Sequence, residues 1–561
     1  MPELDALTVA DLLDELGDRL ELTGEPPFKV RAYRSASELL RQLRVPLADL
    51  VAQRRLKEMP GIGEALAEKI TSLHKKGSHP TLERLREEVP DGVLDLMRLP
   101  GLGPKKVQLL REQMGISNLD ALEEAARKGK LAAAKGIGAK LEAKLLAALP
   151  FVREAASRMR LPQADAAVEA ALAEVRMLPG VLDAWPAGDV RRRCETAGEL
   201  NIAVCMPDPA SAPEKTGPGG RVKVSAFKPE ARATGLLFAT GSAAHLAALT
   251  AHANTKGMTL TAAGLSKDGK PLPAESEADL YRALELAYIE PELREGRGEV
   301  ALAAFNKLPD LVQTGMIRGI LHSHTTYSDG GNTLEQMAEA VRALGLEYFG
   351  VCDHSQSAAY AGGLKEDRVK TQHEEIERLN QKYEKEGVKF RIFKGIESDI
   401  KSDGALDYPE EILARFDFIV ASVHSGFELS EAEQTARVVK AVSNPRTTIL
   451  GHPTGRLLLR RPGFALDLEK VIAACAKHGV VVEINAHPVR LDLDWRWHAK
   501  ALETGAMLSI NPDSHHQGEL PDYRYGVDMA RKGGVPGARV LNTKTCAELA
   551  AYFEARRKKA T

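Results

Sequence analysis

Ile320-Leu321-His322-Ser323-His324, Tyr348-Phe349-Gly350-Val351-Cys352-Asp353-His354 and Met507-Leu508-Ser509-Ile510-Asn511-Pro512-Asp513-Ser514-His515 share one form: a short apolar run that ends in imidazole or carboxylate. Four more runs between them repeat it. Phe390-Arg391-Ile392-Phe393 leads to Gly395-Ile396-Glu397, and Phe418-Ile419-Val420-Ala421-Ser422-Val423 ends at His424. Thr448-Ile449-Leu450-Gly451 ends at His452, and Val480-Val481-Val482 leads to Glu483-Ile484-Asn485. Buried parallel strands read as short continuous hydrophobic runs, so each polar residue stands at a strand's carboxyl end. Helix-like stretches over residues 333–344, 366–386, 431–443 and 468–478 separate the runs. The alternation predicts a parallel barrel or an open α/β sheet with its chemistry at the carboxyl ends of the strands. A lone His-x-His is weak evidence of a site, but seven strand ends that agree point to a multinuclear metal centre.

On these residues the segment 315–561 resembles the polymerase-and-histidinol-phosphatase (PHP) domain, a metal-dependent phosphoesterase module with a distorted (β/α)7 barrel. The resemblance implies a ligand set of His322, His324, Asp329 (in Ser328-Asp329-Gly330), His354, Glu397, His424, His452, Asp513 and His515, which in the family holds up to three ions. Mixed imidazole and carboxylate ligation suits manganese or zinc, with magnesium a further candidate that prefers an all-oxygen shell. Ile320 departs from the pattern, because many relatives carry an aspartate before the Leu-His pair; its loss bears on tuning rather than on metal binding. Metals about 3.5 to 4 Å apart can deprotonate a bridging water, clamp a phosphate and stabilise the leaving oxygen. The reaction class is therefore phosphoester hydrolysis, with His322, His324, Glu397, His424, Asp513 and Arg456 as the catalytic set. Arg456 and Arg490 can grip the substrate phosphate as charge-assisted donors. Pairing of these arginines with Asp467, Asp492 or Asp494 is the competing reading.

The first 150 residues carry an internal repeat. Leu56-Lys57-Glu58-Met59-Pro60-Gly61-Ile62-Gly63 recurs as Leu96-Met97-Arg98-Leu99-Pro100-Gly101-Leu102-Gly103 and, degraded, as Ala133-Ala134-Lys135-Gly136-Ile137-Gly138. Each copy opens an amphipathic helix. The glycines allow a tight hairpin, and the backbone N–H groups that start the next helix then face a phosphate without reading any base. The pattern is similar to helix-hairpin-helix motifs, and the expected DNA-binding positions are Gly61, Gly63, Gly101, Gly103, Lys105, Lys106, Gly136 and Gly138. The formal net charge of −2 excludes a global basic field, so affinity for DNA has to come from such local patches. A chain of 561 residues predicts three or four domains, and its five scattered cysteines form neither a metal motif nor a disulfide framework. No apolar stretch reaches the roughly 18 to 20 residues of a membrane span, and a cytoplasmic monomer with no membrane partner is expected.

Between repeat and barrel, Ala187-Gly188-Asp189-Val190-Arg191-Arg192-Arg193, Phe238-Ala239-Thr240-Gly241-Ser242 and Ile289-Glu290-Pro291-Glu292-Leu293-Arg294 join Phe28-Lys29-Val30-Arg31-Ala32-Tyr33-Arg34 in resembling a bacterial family X DNA polymerase with an appended PHP domain. The resemblance covers nearly the whole chain. It implies a helical helix-hairpin-helix domain over 1–150, an α+β palm over 151–235, a thumb over 236–312 and the α/β PHP barrel over 315–561. The family palm reads Gly-Asp-hydrophobic-Asp-hydrophobic, whereas this chain reads Gly198-Glu199-Leu200-Asn201-Ile202, with Ser225 in place of the third aspartate. Asp189 replaces a serine, which puts a negative charge where the triphosphate would rest. Nucleotidyl transfer depends on carboxylates that hold two metals, and each 1.36 kcal/mol of lost transition-state stabilisation is tenfold in rate. Glu199, Asn201 and Ser225 therefore read as a degenerate polymerase site, while Arg191, Arg192 and Arg193 remain as phosphate donors. The Ala/Gly/Pro-rich residues 207–220 are expected to form a loosened loop. Lys69 falls where some relatives place a Schiff-base lyase lysine, against a competing reading as a phosphate contact.

The expected function is DNA repair: a metal-dependent 3′-5′ exonuclease or 3′-end phosphodiesterase that acts on gapped or 3′-ended DNA through backbone contacts. Three readings compete with it: an active gap-filling polymerase using Glu199 and Asp189, a non-catalytic DNA-binding protein, and a small-molecule PHP phosphatase.

Overall fold

The computed structural model describes residues 4, 6–41, 43, 47–131, 136–217 and 220–560, which divide into two compact units, Met1–Met159 and Arg160–Thr561. Each apolar run of the C-terminal region becomes a strand: β1 (Gly319–Ile320), β2 (Tyr348–Val351), β3 (Arg391–Asp399), β4 (Phe418–Ser422), β5 (Ile449–Leu450), β6 (Val481–Asn485) and β7 (Leu508–Asn511). Consecutive strands pair in parallel, in sequence order. The two ends of the sheet meet just past β1 and β7, where Ser323 bridges Ser514 and the His324 N–H donates to the Ser514 carbonyl at 2.8 Å. The result is a nearly closed seven-stranded parallel barrel. β3 is longer than its apolar run, so Glu397 lies within the strand rather than after it.

The connecting helices Leu334–Ala343, Glu366–Lys385, Glu431–Ser443 and Leu468–His478 occupy the stretches with helical periodicity. Thr333 and Ser430 start two of them as capping boxes with Gln336 and Glu433, which satisfies otherwise orphaned N–H groups. Val369, Ile376, Leu379 and Tyr383, at three- to seven-residue spacing, give the long helix its buried face. The final helix, Cys546–Lys559, closes the amino ends of the strands: Phe553 stacks on Phe418, the first residue of β4, at 5.2 Å between centroids. Arg556 and Arg557 of the basic C-terminal run fasten this helix, donating to the Thr447 carbonyl and pairing with Asp417. The carboxyl ends stay open for the site.

In the same unit, a four-stranded mixed sheet runs in the order Asp183–Ala187, Leu200–Cys205, Val222–Phe227, Lys215–Thr216, and a three-stranded antiparallel sheet spans Met258–Thr261, Gly264–Lys267 and Lys270–Leu272. Residues 207–220 are more ordered than their composition predicts. They carry a 3₁₀ turn at Pro209–Ser211 and the strand Lys215–Thr216, which gains backbone hydrogen bonds against Val222–Phe227; residues 218–219 lie outside the described residues.

Met1–Met159 is helical with two apolar cores, one built from Val9 to Leu85 and the other chiefly from Val89 to Val152. Among the described residues no helix is long and apolar enough to cross a membrane.

Candidate metal centre and the altered palm

The barrel gathers nine side chains at the strands' carboxyl ends: His322, His324, Asp329, His354, Glu397, His424, His452, Asp513 and His515. Glu397 is the hub. Its carboxylate oxygens lie 2.9 Å from His354 Nδ1, 2.9 Å from His452 Nε2, 3.2 Å from His424 Nε2, 3.4 Å from His322 Nε2 and 3.8 Å from His324 Nε2. Asp513 Oδ1 reaches His324 Nε2 at 3.0 Å and His322 Nε2 at 3.5 Å. Asp329 stands 3.5 Å from His515 Nε2 and 3.6 Å from His354 Nε2. Three subsets bring one donor atom from each member within 4.8 Å of one another: His324-Asp329-His354-His515, His322-His324-Glu397 and His354-Glu397-His424.

Two of these residues hold left-handed backbone, His452 at φ 22° and Asp513 at φ 52°. Such strain costs on the order of 1–3 kcal/mol in a non-glycine residue and persists only where the surroundings over-determine it. The restraint is visible: the His452 N–H donates to Glu483 at 2.8 Å and the Asp513 N–H to the His322 carbonyl at 3.1 Å.

The donor atoms fit divalent cations. His322 Nε2, His324 Nδ1, His354 Nδ1 and Glu397 Oε2 are buried and make no hydrogen bond, although they crowd around one another. Buried polar atoms without a hydrogen-bond partner carry a cost, which a shared cation removes. The electrostatics show a demand for positive charge, which protons meet where no cation does. Burial disfavours charge on His322 and His424, yet the surrounding carboxylates outweigh it, lifting His322 well above the ordinary imidazole range and His424 to about 10. Burial would likewise raise Glu397 and Asp513, but the facing imidazoles hold both well below the usual carboxylate range. His324 falls to about 3, through burial and the neighbouring His515 and His354, and so as a neutral imidazole keeps one ring nitrogen's lone pair available.

A further ring of side chains orients these donors, and the strand-end pattern gives it no role. Glu483 Oε1 lies 2.8 Å from His322 Nδ1 and accepts from Asn511 at 3.0 Å. Asp399 Oδ1 lies 2.6 Å from His424 Nδ1. Asp353 accepts from the Thr325 N–H, the Thr325 hydroxyl, Ser328 and Gln372, which shapes the loop that delivers Asp329. Glu483 and Asp353 were legible as acids at strand ends, but which imidazole or loop each one serves is a matter of packing.

The structure differs from the sequence expectation at Arg456. Its guanidinium pairs with Asp494 at 2.6 Å and donates to the Arg490 and Leu491 carbonyls, so its donors are committed inside the protein. Arg490 instead faces the centre, with Nε 3.4 Å from Asp513 Oδ2.

Four segments match known family models: a helix-hairpin-helix domain over residues 7–79, a SAM-like helix-hairpin-helix tandem over 93–149, a DNA polymerase beta thumb over 235–295 and a PHP domain over 321–487. Across 97% of this chain and 98% of the relative, 33% of residues are identical to a Bacillus subtilis protein named DNA polymerase/3′-5′ exonuclease PolX. The chain belongs to the family X DNA polymerases that carry a PHP domain. Proteins named as probable phosphatases also match over 234 residues, at 33% identity in Acetivibrio thermocellus and 28% in Thermoanaerobacter pseudethanolicus, covering 40% of this chain and 89% of each. The PHP domain implies use of divalent metal.

In the mixed sheet expected to form the palm, the residues at the expected polymerase positions have other partners. Strand register places Asn201 beside Lys223 and Ala203 beside Ser225 on one face of the sheet. Glu199 pairs with Lys223 at 3.4 Å, and the Asn201 amide donates to the Glu199 carbonyl. A lysine thus stands beside the one acid of this stretch, Glu199. The three arginines are engaged as well. Arg191 pairs with Glu277 at 2.5 Å and donates to Thr240, while Arg192 bonds Asp189 at 2.7 Å and Glu295 at 2.9 Å. Arg193 spans Asp165 at 2.6 Å and Asp528 at 2.7 Å.

The repeats share one backbone form. Gly61, Gly101 and Gly136 have φ of 80°, 84° and 84°, a conformation that favours glycine, and Gly63, Gly103 and Gly138 follow as N-caps with no side-chain cap bond. Helices Glu64–Lys76, Pro104–Met114 and Ala139–Ala156 begin there, their first N–H groups uncapped by side chains. Lys105 is exposed, whereas Lys106 Nζ folds back on the Gly101 carbonyl at 3.0 Å. Lys69 is half-buried and reaches the Ala65 carbonyl at 3.4 Å. Residues 133–135 of the third copy lie outside the described residues.

Proposed function

We propose that this protein is a DNA-repair nuclease whose barrel centre hydrolyses phosphodiesters from the 3′ end, and that its palm is a scaffold without polymerase activity. The observation that carries the reading is the contrast between the two sites. The barrel brings nine donors together, Glu397 at their hub, with buried donor atoms that lack hydrogen-bond partners, while the expected palm offers Glu199 paired to Lys223 and three arginines tied to internal acids.

Cations held by the nine donors, manganese or zinc by the mix of nitrogen and oxygen, would acidify a water and screen the phosphate charge. Hydrolysis forms a bond between the water oxygen and phosphorus and breaks the bond to the 3′-oxygen of the preceding nucleotide; a proton passes from water to that oxygen. Arg490, beside Asp513, is placed to bind a non-bridging phosphate oxygen. Glu483 and Asp399 fix the ring orientations of His322 and His424. The hairpins supply backbone N–H groups and Lys105 to DNA phosphates without base readout, which suits a protein of net charge −2 that must bind ends of any sequence.

The relative's name, DNA polymerase/3′-5′ exonuclease, supports a second reading in which gap filling survives. One experiment separates the two: a 5′-labelled gapped duplex with manganese, with and without dNTPs, given wild type or His322→Ala/His324→Ala. Shortening in wild type that is absent in the variant supports the nuclease reading. Extension that survives in the variant and is abolished by Glu199→Ala establishes the polymerase instead.

A further inference from the structure

We propose that Tyr360 is the platform on which the 3′-terminal base stacks while its phosphodiester lies at the barrel centre. This rests on the 3′-exonuclease reading given above and names the group that receives the base.

Tyr360 is 73% exposed, yet it stands at the mouth of the buried cluster. Its ring centroid lies 6.2 Å from that of His354 and 6.5 Å from that of His424, at interplanar angles of 56° and 74°. At those angles neither imidazole covers a face of the phenol ring. A single exposed aromatic is ordinary on a protein surface. This one is held in place beside the reacting centre by a loop built for rigidity. The Leu364 N–H donates to the carbonyl of His354 at 2.8 Å, and the Gly363 N–H donates to Ala358 at 3.1 Å. Gly363 admits no side chain, since a Cβ there would sit 1.9 Å from the Ser355 carbonyl oxygen. On the other side, Ser357 donates through its N–H to Asp407 at 2.7 Å and through its hydroxyl to Asp399 at 2.8 Å. Asp399 is the carboxylate that orients His424, so the loop is tied to two of the cluster's imidazoles.

The charged donor available to the phosphate is Arg490, whose Nε lies 3.4 Å from Asp513 Oδ2, which leaves the exposed ring of Tyr360 for a base. Every base offers a π face, so stacking on a neutral ring is tolerant of sequence, as digestion of an arbitrary end requires.

The test uses the full-length protein and a DNA end carrying 2-aminopurine as its 3′-terminal base, first without divalent metal so that nothing is cut. Quenching of the fluorophore is expected with wild type and Tyr360→Phe and not with Tyr360→Ala, while a 5′-label reports that all three bind the DNA. With manganese, Tyr360→Ala should raise KM roughly 5- to 100-fold with a smaller change in kcat. Equal quenching and equal KM in Tyr360→Ala overturn the proposal. Loss in Tyr360→Phe as large as in Tyr360→Ala also overturns it, assigning the role to the hydroxyl. Digestion that persists in His322→Ala/His324→Ala overturns the exonuclease reading of the barrel, and the quenching result, read without metal, stays separate from it.

Discussion

Glu397→Gln keeps the shape of the hub and removes its charge. The carboxylate is buried, with five imidazole nitrogens between 2.9 and 3.8 Å from its oxygens, and it belongs to two of the three groups able to hold a cation. Because those imidazoles hold it well below the usual carboxylate range, it is ionised at neutral pH and the substitution removes a full charge. Two unit charges about 3 Å apart interact by roughly 5 kcal/mol at an effective dielectric of about 20. If about 3–4 kcal/mol of that acts in the transition state, the rate falls on the order of 10²–10³-fold. The assay is single-turnover digestion of a 5′-labelled duplex at saturating manganese, with bound metal measured after dialysis and the fold checked by circular dichroism. A folded Glu397→Gln protein that cuts within tenfold of wild type would refute the reasoning, because the hub would then be dispensable.

Chelation should lower Tm if the cluster binds metal only in the folded state, by the equivalent of about 2.7 kcal/mol at a metal concentration 100 times Kd; His322→Ala/His324→Ala should lose most of that shift, as calorimetry would show. Gly101→Ala should weaken DNA binding at low salt, since its φ of 84° strains a side chain and a Cβ would meet Leu141 at 2.9 Å; anisotropy titrations at two salt concentrations check it. His498 is fully buried and burial lowers it to about 4, against about 6.5 unfolded. The unfolded state then binds more protons between those values, so stability is complete above pH 6.5 and lost as pH falls towards 4, by about 3 kcal/mol; Tm of His498→Gln against pH should be flatter than that of wild type. Arg193→Ala should lower Tm by several degrees through the unpaired Asp165 and Asp528 it leaves, with no gain or loss of primer extension.

The barrel was legible because buried parallel strands announce themselves as unbroken apolar runs. All seven runs became strands, in register and in order, and the helices Glu431–Ser443 and Leu468–His478 match their predicted bounds. The hairpins were legible for a similar reason, since only glycine serves comfortably at the φ of Gly61, Gly101 and Gly136. Within the loop of residues 207–220, the short strand Lys215–Thr216 was not legible because it owes its extension to backbone bonds with a neighbouring strand and not to its own composition.

What the sequence determined alone is whatever depends on local pattern: the strand ends that carry imidazole and carboxylate, the turns that demand glycine, and the chemical type of each residue in the expected palm. What only the tertiary structure decided is pairing. Arg456 could have met Asp467, Asp492 or Asp494 and meets Asp494; Glu483 turns to His322, and Asp399 to His424. Arg193 closes on Asp528, 335 residues away. A charge does not specify its partner, because Coulomb attraction falls smoothly with distance and any nearby opposite charge satisfies it. Which one is near is settled when the strands close and the helices pack.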